Sequence, residues 1–237
     1  MNPYYETERG RLFCGDCLEV MPLLTEKADL VLADPQYGIG EAAGKNKSRG
    51  NFSGKRTKKN PLGKHIPATD YGNLEWDNAI PSREVFELIF KLSAHQMIFG
   101  GNYFAEYLPN SSCWIVWDKD NGKTDFADAE LIFTSFKKAV RIIKWRWNGM
   151  LQQSMKRKEK RYHPTQKPLG LMEILLDCYS EENALILDPF GGSGTTGVAC
   201  ENLKRRWILI EKEERYCEIA AKRIEAAASQ KSFEDYL

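Results

Sequence analysis

Short, continuous apolar runs alternate along this chain with segments whose apolar residues recur at helical spacing. Runs at 11–14, 28–33, 96–99, 113–117, 184–187 and 207–210 carry the strand signal: brief, rich in Leu, Val, Ile and aromatics, and bounded by polar or glycine residues. Helical spacing predicts a helix over 16–24, with Leu18, Met21 and Leu24 aligned, and another after Pro81-Ser82, with Val85, Phe86, Ile89 and Phe90 aligned. Further helices are expected over 169–179, with Met172, Leu175, Leu176 and Tyr179 inward, and over 195–203. A last helix carries Tyr216, Ile219, Ala220 and Ile224 on one face. Two more strands, 129–136 and 140–147, have no helix between them and are expected to pair antiparallel at one sheet edge. The alternation predicts an α/β fold: a doubly wound, mostly parallel sheet with an antiparallel edge hairpin, in one domain over 1–237.

The period breaks in two places, and both breaks are basic. Residues 40–73 are rich in Gly, Lys, Asn and Ser with no sustained apolar repeat, and a loop that long in a compact domain is functional or mobile. From Gly44 to Thr69 there are eight basic residues (Lys45, Lys47, Arg49, Lys55, Arg56, Lys58, Lys59 and Lys64) and no acidic one. The second break, about 148–162, carries Lys156, Arg157, Lys158, Lys160 and Arg161 against Glu159 alone. The net charge is only +1, so these clusters are local surfaces suited to a polyanion. Taken singly, each reads as a solvated loop.

Six cysteines do not make a framework. Cys14 and Cys17 form a CxxC without the second pair a zinc site needs, so no metal is expected. Cys178, Cys200 and Cys217 fall on predicted apolar helix faces and Cys113 begins a strand, the pattern of buried free thiols in a reducing compartment. No signal peptide and no membrane-length apolar stretch is visible, so a cytoplasmic protein is expected.

Two strand ends carry the chemistry. The run Leu30-Val31-Leu32-Ala33 stops at Asp34-Pro35-Gln36-Tyr37, and open α/β sheets place ligands beyond such carboxyl ends. The Asp34 carboxylate and the Pro35 carbonyl are adjacent acceptors and Tyr37 is a flat face, a set that suits a planar group bearing an amine, such as a nucleobase. An ordinary Asp-Pro turn accounts for the same residues. The second run stops at Asp188-Pro189-Phe190-Gly191-Gly192-Ser193-Gly194, where glycines permit close approach of a ligand and a helix follows with free N–H groups. The next strand ends in Glu211, at the spacing dinucleotide folds use for ribose hydroxyls. The spacing is not GxGxxG and no Walker lysine follows, which weakens the NAD and ATP readings. A glycine turn with an acid on either side suits a nucleoside carrying a cationic amino-acid tail.

Together with His163-Pro164-Thr165-Gln166-Lys167-Pro168, these motifs resemble the amino-group DNA methyltransferases, more narrowly the circularly permuted β-class in which the catalytic motif precedes the cofactor motif. The resemblance runs from about 11 to 224 and leaves out the basic loops. Phe126-Ala127-Asp128-Ala129-Glu130-Leu131, between Trp117 and Trp147, is also similar to small phage-type modification methylases. The resemblance implies a Rossmann-like methyltransferase fold and S-adenosylmethionine as cofactor. It also implies double-stranded DNA as partner, and a homodimer or a short target site. It assigns Asp188, Phe190, Gly191, Gly192 and Gly194 to the methionine part of the cofactor, Glu211 to the ribose, Asp16 to the adenine pocket, and Thr165 and Lys167 to the side of the methionine moiety. Asp34, Pro35, Gln36 and Tyr37 become the catalytic motif, with Asp34 also at the cofactor. Phosphate contacts fall to Lys45, Lys47, Arg49, Lys55, Arg56, Lys58, Lys59, Lys156, Arg157 and Lys158. The family form of the motif has a second proline where this chain has Gln36. No cysteine lies in the motif, which argues against a C5-cytosine enzyme. Asp at its head favours adenine N6 over cytosine N4.

Overall fold

The computed structural model describes residues 1–39, 79–122, 127–148, 151–163 and 165–234. It divides into two compact units, one formed by Met1–Pro35 with Pro81–Leu237, the other by Gln36–Ile80.

The first unit is built on strands β1 (Tyr5–Glu6), β2 (Gly10–Cys14), β3 (Ala28–Ala33), β4 (Ser93–Phe99), β5 (Trp114–Asp118), β6 (Ala129–Thr134), β7 (Arg141–Lys144), β8 (Trp147–Asn148), β9 (Leu151–Gln152), β10 (Leu185–Asp188) and β11 (Arg206–Glu211). Nine of them form one sheet in the order β1-β2-β11-β10-β3-β4-β6-β5-β7, and β8 and β9 form a separate ribbon. From β2 to β4 the neighbours are parallel. Leu30, Val31, Leu32 and Ala33 are all but fully buried, as a parallel strand covered on both faces requires. Burial of each of the larger side chains contributes about 1.5–3 kcal/mol. Asp29, the polar exception in this strand, accepts from the backbone N–H of Leu185 at 2.8 Å and so pins the start of β10 against β3.

The helices are α1 (Cys17–Val20), α2 (Arg83–Leu92), α3 (Leu169–Tyr179), α4 (Thr195–Asn202) and α5 (Glu214–Glu234). Helix α1 is far shorter than its apolar spacing suggests, because Pro22 sits inside the next turn and lacks the N–H a longer helix needs, leaving a 3-10 turn over Met21–Leu23. Helix α4 is buried on every face from Thr195 to Glu201, between α3, α5 and β11. A Cβ on Gly197 would come within 2.6 Å of Ile224 Cδ1, so helix–helix packing alone accounts for that glycine.

Two pairings differ from expectation. β6 lies antiparallel to β4 on one side and β5 on the other, while β7 is parallel to β5 and forms the edge. The 129–136 and 140–147 segments therefore do not pair with each other; the antiparallel partners of β6 are β4 and β5. Cys178 is exposed rather than buried, on the outer face of α3, whereas Cys113, Cys200 and Cys217 are buried. Among the described residues, no helix is long and apolar enough to cross a membrane.

The sheet order places a topological switch between β3 and β10. From β3 the chain goes on to β4, and from β10 to β11, in opposite directions along the sheet. Such a point is where α/β sheets bind ligands, outside the carboxyl ends of the two strands.

Candidate active site

Both strand-end acids arrive at that switch point. The register that sets Leu187 against Val31 brings Asp188 and Asp34 out at neighbouring strand ends. Asp188 is 3% exposed, and burial pushes its carboxyl up to about 7, with the charges of Asp34 and Glu211 adding to the rise. The Asp188 carboxylate also shapes the loop after it: Oδ1 accepts from Phe190 N at 2.9 Å and Oδ2 from the Thr196 hydroxyl at 2.5 Å.

The glycines of this loop are required for different reasons. Gly194 has φ +77°, and a Cβ there would lie 2.7 Å from the Cβ of Ala220 on α5, so the contact is with the protein's own core. Gly192 has φ +51°, yet its nearest neighbour for a Cβ is Phe190 O at 3.9 Å, so the space beside it is open to an approaching group. Glu211 braces the same loop, accepting from Gly192 N at 2.7 Å and from Glu213 N at 2.8 Å. Burial raises the Glu211 pKa against these bonds. Glycine turn, strand-end acid and a following buried helix thus form one cradle, open beside Gly192.

Asp34 is held from the opposite side of the sheet's switch. The ammonium of Lys167, 8% exposed, lies 2.7 Å from Asp34 Oδ1 and 3.1 Å from Glu130 Oε1. The other oxygen of Glu130 takes Lys119 at 2.9 Å. Burial opposes charge on Lys167, but the two carboxylates outweigh it and raise its pKa, so it stays an ammonium. Thr165 is tied to His163, whose Nδ1 lies 3.3 Å from Thr165 N and 3.1 Å from its hydroxyl. Burial, then the charges of Lys167 and Arg215, push His163 down to about 3, so the ring is neutral.

Asp16 caps α1, accepting from Leu18 N at 2.9 Å and pairing with Lys212 at 2.9 Å, directly after Gly15 N binds Glu211 O at 2.9 Å. Asp16 and Glu211 therefore share the end of β2 and β11. Gln36 and Tyr37 open the second unit, where Gly38 adopts φ +68° and a Cβ would meet Ile80 N at 3.1 Å. Lys156, Arg157 and Lys158 are exposed beyond the β8–β9 ribbon. Lys45, Lys47, Arg49, Lys55, Arg56, Lys58 and Lys59 lie outside the described residues. Among the described residues, no cluster of three or more His, Cys, Asp or Glu is placed to hold a metal ion.

Three residues at the site were not singled out from the sequence. Glu130 lies inside a flagged segment but bears no motif of its own. Gln166 accepts from Tyr162 N at 2.9 Å and from the Ser193 hydroxyl at 3.1 Å, joining the basic segment to the glycine loop. Arg223 of α5 donates to Ser193 O at 2.5 Å and Ser193 Oγ at 2.9 Å. A lone arginine on an otherwise apolar helix face is the signal that could have found it.

The sheet order, the paired strand ends and the glycine cradle define a Rossmann-like α/β fold of the methyltransferase type. A family model described as DNA methylase, covering the N6 and N4 methyltransferases, matches residues 75–222, and the chain belongs to that family. It is 27% identical to the type II methyltransferase M2.LlaDCHI of Lactococcus lactis subsp. cremoris, over 96% of this chain and 93% of that protein. It is likewise 27% identical to the type II methyltransferase M2.DpnII of Streptococcus pneumoniae, over 94% and 92%. Among solved structures it is similar to M1.HpyAVI in complex with SAM, with a TM-score of 0.57 and 23% identity over 91% of this chain and 98% of that one. The cytosine-N4-specific PvuII DNA methyltransferase gives a TM-score of 0.58 at 19% identity, over 93% and 88%. At these identities the two structures speak for the fold alone.

Proposed function

We propose that this DNA methyltransferase transfers a methyl group from S-adenosylmethionine to the exocyclic amine of a base flipped out of double-stranded DNA, most simply adenine N6. The observation that carries the reading is the arrival of Asp34 and Asp188 at neighbouring strand ends of the switch point, one on the Asp-Pro motif and one on the glycine loop. S-adenosylmethionine supplies an electrophilic methyl on a sulfonium. The chain's own residues supply the rest. Asp188, Gly192 and Glu211 line the place for its amino-acid tail and ribose, and the open space beside Gly192 fits a close backbone approach. Asp16 and Glu211, at adjacent strand ends, suit the nucleoside end. Thr165, Phe190, Gly191 and Gly194 shape the cradle.

An exocyclic amine is a weak nucleophile because its lone pair is shared with the ring. The Asp34 carboxylate and the Pro35 carbonyl accept its two hydrogens, localise the lone pair and aim it. Asp34 stabilises the positive charge that grows on nitrogen as the methyl leaves sulfur. S-adenosylhomocysteine departs as the neutral thioether, and the methylated nitrogen then gives one proton to solvent. A base inside a duplex is out of reach, so it is extruded, with Tyr37 as the stacking face. Phosphate contacts by the basic residues of 44–64 and 156–161 position the duplex and make binding salt-dependent. The choice of adenine rests on Asp at the head of the motif.

Gln36 favours a second reading, a member of weakened turnover, because it replaces a rigid residue with one that has a donor and a free φ. The deciding experiment is incubation with methyl-labelled S-adenosylmethionine and unmethylated duplex DNA, followed by nucleoside analysis. Label in N6-methyladenosine is expected. Label in N4-methylcytosine would move the target base, and cofactor binding without transfer would overturn the enzyme reading.

A further inference from the structure

The row of charges behind Asp34 does more than bury a lysine. It runs Asp34, Lys167, Glu130, Lys119, with contacts of 2.7, 3.1 and 2.9 Å, from the end of strand β3 through the segment before α3 to β6 and the residue after β5. The two inner members are almost out of solvent, at 8% and 9% side-chain exposure. Its floor is aromatic: the Lys167 ammonium lies 5.0 Å above the ring of Phe99, and that of Lys119 4.8 Å above Trp117. The two rings meet edge-on at 6.4 Å. In such surroundings a charge is felt more strongly than in water, and a misplaced one is costly.

The sharing has a chemical consequence. A lysine paired with Asp34 alone would neutralise the carboxylate that has to receive a developing cation. Glu130 divides the claim on Lys167, because the one ammonium is in reach of both carboxylates. The row of four sums to zero, yet its Asp34–Lys167–Glu130 part carries one net negative charge. Asp34 is thus fixed by Lys167 without losing its electrostatic pull. The backbone supports the arrangement, since Glu130 is held opposite Trp117 in the β5–β6 register.

We propose that Glu130 is a positioning residue for methyl transfer, acting through Lys167 to hold the Asp34 carboxylate oriented and electronegative toward the target amine. The proposal rests on the function set out above, in which Asp34 receives that amine. It assigns a task to the Phe126–Leu131 segment that neither the cofactor cradle nor the basic loops account for.

The test is single-turnover methyl transfer by full-length Glu130→Gln, which keeps the side-chain shape and removes the charge. The rate constant is expected to fall about tenfold. The dissociation constants for S-adenosylhomocysteine and for duplex DNA are expected to stay within about twofold of wild type, because the two oxygens of Glu130 are engaged by Lys167 and Lys119. Glu130→Asp, which keeps the charge, is expected to recover part of the loss. In a Lys167→Gln background, Glu130→Gln is expected to have no further effect, since its path to Asp34 is gone. A wild-type rate in Glu130→Gln overturns the proposal. So does an undiminished loss in the Lys167→Gln background, or an Asp variant no better than Gln. If Glu130→Gln fails to fold, Lys119→Gln takes its place. It frees Glu130 to bind Lys167 more closely, so the rate is expected to hold or rise, and a tenfold loss would show that the row is only a brace. Absence of transfer by wild-type protein is a separate outcome: it refutes the function, not the role of Glu130 within it.

Discussion

With Asp188 at the cofactor, as proposed, cofactor affinity should depend on pH in a range where few other groups titrate. Its carboxyl is pushed up to about 7, first by burial and then by Asp34 and Glu211, against the bonds from Thr196 and Phe190. A cofactor with a cationic tail binds the ionised form. About a tenth of Asp188 is ionised at pH 6 and about nine-tenths at pH 8, so affinity should rise about tenfold between them, or roughly 1.4 kcal/mol. Binding at pH 6 should then release close to one proton. Two neighbouring groups do not mimic the effect. His163, pushed down to about 3, is neutral throughout, and Lys167, with its pKa raised, is charged throughout. Glu211 is raised in the same direction, which is why Asp188→Asn is the needed control. Isothermal titration with S-adenosylhomocysteine, in two buffers of different ionisation heat at pH 6, 7 and 8, measures affinity and proton release together. An affinity flat across that range, or a slope that survives in Asp188→Asn, would refute the argument. The sign for the free protein is opposite. A carboxyl whose folded value lies above its unfolded value stabilises at low pH, and that contribution is lost as pH rises through about 7. Without cofactor, melting temperature should therefore fall between pH 5 and pH 8, and cofactor should restore more of it at the higher pH.

Other expectations follow from single contacts. Gly194→Ala combines φ +77° with a Cβ 2.7 Å from Ala220, so it should cost about 3 kcal/mol and lower the melting temperature by roughly 10 °C. A melting temperature within two degrees of wild type would show that α5 yields at that point. Gly192→Ala meets only backbone strain in the free protein and should cost about 1 kcal/mol in stability, while weakening cofactor affinity more than tenfold by calorimetry. Replacing Lys156, Arg157 and Lys158 together with Ala should reduce the slope of log affinity for DNA against log salt by about two to three. An unchanged slope would return that segment to an ordinary solvated loop. Gln36→Pro should raise turnover if the missing proline is costly, and equal turnover by steady-state assay would show that the motif does not need it.

How far the sequence could be read is decided by the range of the interactions involved. Strand β3 was legible because both its faces are buried, so a local run of Leu and Val carries the whole signal. Helix α3 was legible for the matching reason, its inward residues recurring at helical spacing. The order of β5, β6 and β7 was not, because alternation marks a strand without naming its neighbour. Ile142 on the edge strand is 71% exposed despite its apolar character. The candidate site divides along the same line. Asp34, Asp188 and Glu211 stand at strand ends with their motifs beside them. Gly194 reads as a ligand-binding glycine, but its reason lies in Ala220, on a helix the local sequence does not predict to touch it. Glu130 is the clearest case of a role invisible in sequence. A glutamate on an alternating strand would be read as an outward, solvated residue, and only the folding of β6 beside the segment that carries Lys167 turns it inward onto a buried ammonium. A charge at such a position costs several kcal/mol to desolvate unless it is paired, so Lys119 and Lys167 are conditions for its presence there. The same pairing couples Glu130 to Asp34, and charge substitutions on β6 should register in the chemistry at the switch point before they register in binding.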